Sequence, residues 1–248
     1  MNTIYVLWLR QLKRYIRSRT RIIGALGQPL LFMLALGFGF GPIYSKAGQG
    51  NYFQFLVPGI ISQSILFTAL FNGIEVIWDR QFGFLKETLV APVSRLNIVI
   101  GRTLGGATIA TFQGLIVFLL SLIFGFKTQS FGYFLIALII MFLIALLFTA
   151  IGTAIASVMD DIHGFQLIMN FLVMPLFFLS GALFPLQGLP PAIKIVVFLN
   201  PLSFGVDGLR AALINVSTYG LFADLIILIV LSTIALSIGS YLFSKIQL

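Results

Sequence analysis

Six stretches of this chain, residues 22–45, 47–74, 103–126, 128–159, 162–193 and 225–244, contain no Asp, Glu, Lys or Arg. About 20 predominantly apolar residues make one helix long enough to cross the hydrocarbon of a bilayer, and none of these stretches comfortably holds two. The pattern predicts an all-α integral membrane protein with six transmembrane helices, near 22–42, 55–78, 103–126, 132–157, 164–184 and 221–244. Composition agrees: 59% of the residues are hydrophobic and 9% are charged, against about 25% charged in an ordinary soluble domain. So few charges cannot furnish the polar surface that a soluble core requires. Residues 1–248 are therefore expected to form a single transmembrane domain.

The excess of 15 Lys+Arg over 7 Asp+Glu would suggest nucleic acid in a soluble protein. In a membrane protein it reports topology, and no nucleic-acid partner is expected. With the N-terminus inside, the inner segments carry Arg10, Lys13, Arg14, Arg17, Arg19, Arg21, Arg80, Lys86, Arg95, Arg102 and Lys245. The outer ones carry only Lys46, Lys127, Lys194 and Arg210, so both termini are expected in the cytosol. The basic start followed by an apolar run resembles a secretion signal. Its apolar part is too long and lacks a small-residue cleavage site, which favours an uncleaved first span. With no Cys and one His, disulfides, thiolate chemistry and Cys-based metal sites are excluded, and a metal reading is weak.

Residues 1–21 read as an interfacial amphipathic helix. Arg10, Lys13, Arg14, Arg17 and Arg21 fall on one stripe, with Ile4, Tyr5, Trp8, Leu12, Tyr15 and Ile16 opposite. Such a helix is expected to lie in the membrane plane with its cations against anionic headgroups, unless the basic residues are only a topology signal. Arg19 breaks the stripe. Between spans two and three, 79–102 (DRQFGFLKETLVAPVSRLNIVIGR) is the longest inner connection. Phe82, Leu85 and Leu89 are spaced i, i+3, i+7, and Pro92 cannot continue a helix. A short amphipathic helix ending before Pro92 would set this strip in a groove, on the membrane surface or on a partner protein.

Residues 185–220 hold Pro185, Pro190, Pro191 and Pro201 between two apolar runs too short to cross. Spans five and six must run in opposite directions, so this segment is expected to be an outer re-entrant hairpin that dips into the membrane and returns. Asp207 and Arg210, at i, i+3, are expected to form an ion pair, either fixing the hairpin or lying as a weak surface bridge. Asp160, Asp161 and His163 read as a solvated turn. No phosphate loop G-x-x-x-x-G-K-[ST], no H-E-x-x-H and no G-x-S-x-G occurs. Without its own ATP site or mid-membrane ion-coupling charges, a transporter of this composition needs a separate motor, whereas a channel needs none.

The loop FLKETLVAPVSRLNIVIGR, with Pro92, Ser94, Arg95 and Gly101, resembles the coupling region of the ABC type-2 permease family. The outer stretch MNFLVMPLFFLSGALFPL followed by LNPLSFGVDGLRAAL, with Asn200, Pro201, Asp207 and Arg210, is similar to the same family's daunorubicin-resistance and nodulation-export branch. Phe84 departs from it, since many relatives have a small polar residue after the glycine matched by Gly83. The resemblance covers essentially the whole chain. It implies a non-catalytic membrane subunit of an ATP-driven exporter in a prokaryotic cytoplasmic membrane, pairing as a homodimer with two cytosolic ABC ATPase subunits. ATP and Mg would be bound by the ATPase and no cofactor by this chain. Cargo would be a hydrophobic or amphipathic drug or glycolipid, with polysaccharide as the alternative inside the family and a motor-independent channel or carrier as the alternative outside it. Phe82, Leu85, Lys86, Glu87, Leu89, Pro92 and Arg95 would couple to the ATPase, within a coupling helix spanning 82–91. Polar or helix-breaking residues in apolar spans face protein or a cavity, which makes Gln28, Pro29, Ser62, Gln63, Asn72, Asn170, Met174 and Pro175 candidates for the translocation path. Interhelical hydrogen bonds would explain the polar ones equally well. Phe177, Phe178, Phe184 and Pro185 are the corresponding candidates for an apolar outer gate.

Overall fold

Backbone N–H and C=O groups find no water in hydrocarbon, so a chain this apolar satisfies them by closing hydrogen bonds within helices. The computed structural model describes residues 3–46, 50–85, 88, 93–128, 131–186 and 190–246, and every regular element among them is helical. In chain order these are α1 (Thr3–Arg17), α2 (Arg19–Lys46), α3 (Tyr52–Phe71), α4 (Ile74–Gln81) and α5 (Arg95–Ile123). A 3-10 turn (Phe131–Tyr133) leads into α6 (Phe134–Ser157), followed by α7 (Ile162–Phe178), α8 (Pro191–Leu199), α9 (Pro201–Ile214) and α10 (Leu221–Ser244). Among the described residues, α2, α3 continued by α4, α5, α6 and α10 are long and apolar enough to cross a membrane. The α8–α9 pair, bent by 85°, makes a sixth candidate if counted as one broken span, and α7 is a shorter apolar helix of 17 residues.

The bundle is organised around α3, in which 15 of 20 residues are buried. By contrast α2 buries only Pro29, Met33 and Gly37, and α7 only Phe165, Met169, Val173 and Phe177. Both stripes advance by four residues, so each helix touches the core along one narrow seam. α3 and α6 meet backbone to backbone: a Cβ added at Gly152 would lie 2.4 Å from the Leu70 carbonyl oxygen, and one at Gly73 2.4 Å from the Gly152 carbonyl oxygen. Only glycine permits that approach.

Helix ends are closed by side chains. Asn51, Ser94 and Asn200 accept hydrogen bonds from the backbone N–H of Phe53 (3.0 Å), Asn97 (3.2 Å) and Leu202 (3.0 Å) at the starts of α3, α5 and α9. Asp161 does the same for α7, accepting from Gly164 N–H at 2.5 Å and His163 N–H at 3.2 Å. These backbone donors hold its carboxyl below the usual carboxylate range. At the other polarity, Arg80 donates to the carbonyls of Ser157 (2.8 Å), the last residue of α6, and Met159 (3.2 Å) just beyond it, and pairs with Asp160. Arg95 reaches the carbonyls of Ser244 and Ile246 beyond α10. Cations at helix C-termini also complement the macrodipole. The expected solvated turn is therefore a jointed corner between α6 and α7.

Several boundaries differ from the sequence reading, the first span included, which runs Arg19–Lys46 rather than 22–42. Asp79 and Arg80 belong to α4, and Arg95 to Arg102 form the first two turns of α5, so helix consumes both ends of the expected 79–102 loop. The physical reason is that Asp79 and Arg102 neutralise one another, and a paired charge does not have to leave the helix for water. The expected 164–184 span ends at Phe178, because Gly181 turns the chain at φ +74° and the Ser180 hydroxyl donates to the Phe177 carbonyl. The second span starts earlier and ends later than expected, with an interruption at Asn72 and Gly73.

Gly152→Ala is expected to force α3 and α6 apart at a cost of about 1–3 kcal/mol, the usual range for overpacking. Gly24→Ala, where nothing lies within 4 Å of the added carbon, should leave stability unchanged or raise it. Thermal unfolding of the two variants in detergent checks this.

Candidate functional site

At the end of the bundle where α4 meets α1 and α5, two carboxylates and four guanidiniums converge. Asp79, buried on α4, accepts from the fully enclosed Arg102 of α5 and pairs with Arg10 of α1 at 3.0 Å. One turn earlier, buried Glu75 pairs with Arg21 of α2 at 2.8 Å and with Arg14 of α1 at 3.9 Å, and Arg21 also donates to Asn72 at 3.4 Å. The acidic side chains at i, i+4 face basic ones at i, i+4 on α1, and this matched spacing is the reason the helices register. The basic stripe of α1 thus does not lie wholly against headgroups, as expected from sequence. Arg10, Arg14 and Arg21 turn inward, while Lys13, Arg17 and Arg19 stay exposed.

The adjoining face of α1 docks on α5. Ile4 and Leu7 lie over Gly101, Gln11 over Gly105, the Trp8 indole N–H donates to Thr108 at 3.0 Å, and the Tyr15 hydroxyl donates to Gln113 at 2.5 Å. α1 therefore follows α5 for about three turns. Only Tyr5, Val6 and Ile16 among its large apolar side chains remain exposed. The signal for this cluster was in the sequence: Glu75 and Asp79 sit one turn apart at the end of an otherwise uncharged span.

Of the expected coupling residues, Lys86, Glu87, Leu89 and Pro92 lie outside the described residues. Phe82 is 82% exposed and Leu85 fully buried, so the two do not share one docking face. α4 stops at Gln81 and Gly83 turns the chain at φ +79°, which ends the helical spacing that linked them. Helix resumes at Phe84 and Leu85. Phe84 carries the Arg10 guanidinium 3.6 Å above its ring centroid, and the Thr88 hydroxyl donates to the Phe84 carbonyl at 3.0 Å. Arg95 is engaged with the end of α10 rather than projecting from the loop.

The candidate path residues divide into two sets. Pro29, Ser62, Gln63 and Asn72 are buried; Ser62 donates back to the Pro58 carbonyl at 2.9 Å, and the Gln63 amide has no hydrogen-bond partner among the described residues. Asn170, Met174 and Pro175 are exposed on α7, and Gln28 is half-buried. Gln28 and Pro29 line a cavity of about 210 Å³ between α1, α2 and α3, together with Tyr15, Arg21, Ser64 and Thr68. Tyr15 and Arg21 were legible only as opposite faces of the N-terminal helix, and Ser64 and Thr68 had no distinguishing sequence signal beyond their polarity. α2 and α7 meet where Phe32 stacks on Phe177 at 6.1 Å between centroids. Phe177 is buried, whereas Phe178, set edge-on to it at 5.4 Å, and Phe184 are exposed, and Pro185 is half-buried.

At the opposite end, Asp207 and Arg210 form no ion pair within 4 Å, contrary to expectation. Asp207 accepts from the Ser217 hydroxyl at 3.0 Å and from the N–H groups of Thr218 and Tyr219, both at 2.8 Å. Arg210 donates to the carbonyls of Gly181 at 2.8 Å, Ala182 at 3.2 Å and Phe55 at 3.3 Å. Both side chains are buried, and each is engaged mainly by backbone groups, Asp207 by the turn after α9 and Arg210 by the turn after α7 and the first turn of α3. Asn200 joins α8 to α9 and donates to the Leu176 carbonyl of α7 at 2.7 Å.

Asp79→Asn removes the principal counter-charge of buried Arg102 and is expected to destabilise the protein by about 3–5 kcal/mol. The double replacement Asp79→Leu, Arg102→Leu should recover much of the loss. Thermal unfolding in detergent separates the two.

The family model described as ABC-2 type transporter matches residues 2–214. Inner membrane transport permease YadH of Escherichia coli K12 is 29% identical over 90% of this chain and 88% of its own length. The transport permease ycf38 of Cyanophora paradoxa is 30% identical over 81% of this chain and 69% of its own. Nodulation protein J of Rhizobium leguminosarum bv. trifolii is 28% identical over 78% and 74%. A multi-pass helical chain matched over most of its length in this way belongs to the ABC-2 type transporter family, as one of its transport permeases.

Proposed function

We propose that this chain is the membrane subunit of an ATP-driven exporter that moves a hydrophobic or amphipathic compound, such as a drug or glycolipid, outward across a prokaryotic cytoplasmic membrane. It works as a homodimer with two cytosolic ATPase subunits, which hold the ATP and Mg, and contributes no catalytic group of its own. Both termini lie in the cytosol, the chain crosses six times, and α8–α9 form a re-entrant element at the outer end.

The observation that carries this reading is the ion-paired cluster beside the 82–94 connection. The connection starts from α4, whose Glu75 and Asp79 hold α1, α2 and α5, and its Phe84 lies under Arg10. An ATPase groove that grips residues 82–92 therefore has a rigid route into the first span. Ion pairs in a low-dielectric setting transmit displacement well, because parting them exposes uncompensated charge.

The second support is the α2–α7 flank. Asn170 is exposed on a membrane helix, and a primary amide facing lipid alone is unfavourable. A second copy and a path between the copies relieve it, and on this reading Gln28, Asn170, Met174 and Pro175 line the path. Phe178 and Phe184 stand at its outer end and close it to water, with Phe177 and Pro185 behind them. The apolar character of this flank suits an apolar cargo.

Purification of the tagged chain from its host is expected to recover an ABC ATPase, and vesicles holding both should export a hydrophobic dye only with ATP. Glu87→Lys and Leu89→Asp should release the ATPase while insertion persists; unchanged assembly in both would remove the coupling assignment. Undiminished transport without ATP or partner would overturn the motor-driven reading. The chain contains no cysteine, so Phe82→Cys provides a single thiol, expected to react with a membrane-impermeant maleimide only from the cytosolic side.

A further inference from the structure

At the end of the bundle opposite the ion-paired cluster, a cavity of about 550 Å³ lies between α8, α9, the turn after α9 and Phe55 of α3. Its walls include Leu186, Val197, Phe198 and Val216. Three charged residues line it: Asp207, Arg210 and Lys194. The carboxylate is already occupied, since the Ser217 hydroxyl and the Thr218 and Tyr219 N–H groups surround Asp207. The guanidinium is not comparably matched. Arg210 is 5% exposed, its Nε and Nη2 donate only to neutral carbonyls, and Phe55 covers one face at 3.7 Å. No described carboxylate lies within 4 Å of it, Asp207 acting on it only at longer range, and among the described residues no hydrogen bond engages Nη1. Lys194 is exposed on α8 and likewise has no ion-pair partner among the described residues.

A buried cation whose nearest carboxylate is out of contact and already hydrogen-bonded elsewhere is only partly compensated, and an anion reaching the free edge of the guanidinium relieves that cost. An apolar chamber of this size is within the range of small-molecule sites, about 300–1,000 Å³. We propose that this cavity binds a single-chain anionic amphiphile, its carboxylate or phosphate head against Arg210 Nη1 and Lys194 and its acyl chain along Val197, Phe198 and Val216. The volume suits one chain with a compact head rather than the two chains of a bilayer phospholipid. A free fatty acid and a lysophospholipid share the required chemistry. The site stands independently of the motor and of the cargo proposed above.

The test uses the purified full-length chain in a neutral detergent and equilibrium binding of radiolabelled palmitate and of 1-palmitoyl-lysophosphatidylglycerol. 1-Monopalmitoylglycerol serves as the uncharged comparator of equal chain length. Either anion is expected to bind saturably, one per chain, at least about tenfold tighter than the neutral lipid, the difference a single charge-assisted hydrogen bond supplies. The tighter of the two identifies the head as carboxylate or phosphate. Val216→Trp, at a half-exposed position that accepts bulk without repacking the core, should abolish binding by filling the cavity. Lys194→Gln, on the surface, should weaken it severalfold. Equal affinity for the neutral lipid, binding unaffected by Val216→Trp, or equally effective displacement by two-chain phosphatidylglycerol would overturn the proposal.

Discussion

The buried contact between Asp79 and Arg102 fixes more of this molecule than any other single interaction. Neither group tolerates burial alone, and once they pair, the charge of Arg102 is held inside α5 and that of Asp79 inside α4. Arg10 then joins from α1, and Glu75 gathers Arg14 and Arg21 a turn away. Four helices that would otherwise slide past one another in an apolar medium acquire one register. Since lipid tails give no hydrophobic force between helices, such polar clamps and close small-residue contacts must supply specificity.

The same economy of polar groups governs the other end. Arg210 secures the turn after α7 to α9, Asp207 secures the turn before α10, and Asn200 ties the α8–α9 bend to α7. These groups satisfy backbone atoms where helices stop inside or near hydrocarbon, which is where irregular chain is tolerated only under protein cover. Arg80 and Arg95 play the equivalent part at the ends of α6 and α10. Much of the chain's small complement of charge is therefore structural.

The fold class was legible because charge-free length is a one-dimensional property, read directly along the chain. So were the amphipathic N-terminal helix and the bent α8–α9 segment, the latter from Pro190, Pro191 and Pro201. Pairing was harder, because it depends on which helices become neighbours. Asp207 and Arg210 have ideal helical spacing, yet tertiary partners outcompete each of them. Phe82 and Leu85 also have ideal spacing, but Gly83 interrupts the helix that would have made it meaningful. Conversely, the one-turn spacing of Glu75 and Asp79 is legible in the sequence, but the partners it serves, Arg10 and Arg14, follow only from α1 packing along α5. Periodicity revealed which face each helix had; only packing revealed what that face met.

The glycine seam between α3 and α6 limits how such a permease can work. With Gly73, Leu70 and Gly152 in direct main-chain contact, the two helices have no side-chain layer to shear through and must travel as one stator. α2 and α7 meet the core far more narrowly, each along a single four-residue-period seam, with Arg21 pinning the start of α2 to Glu75 and Asn200 pinning the end of α7. A helix seated on so thin a seam turns about it at little cost in buried surface, and the turn is limited by how far Met33 or Met169 can swing before leaving its buried seat.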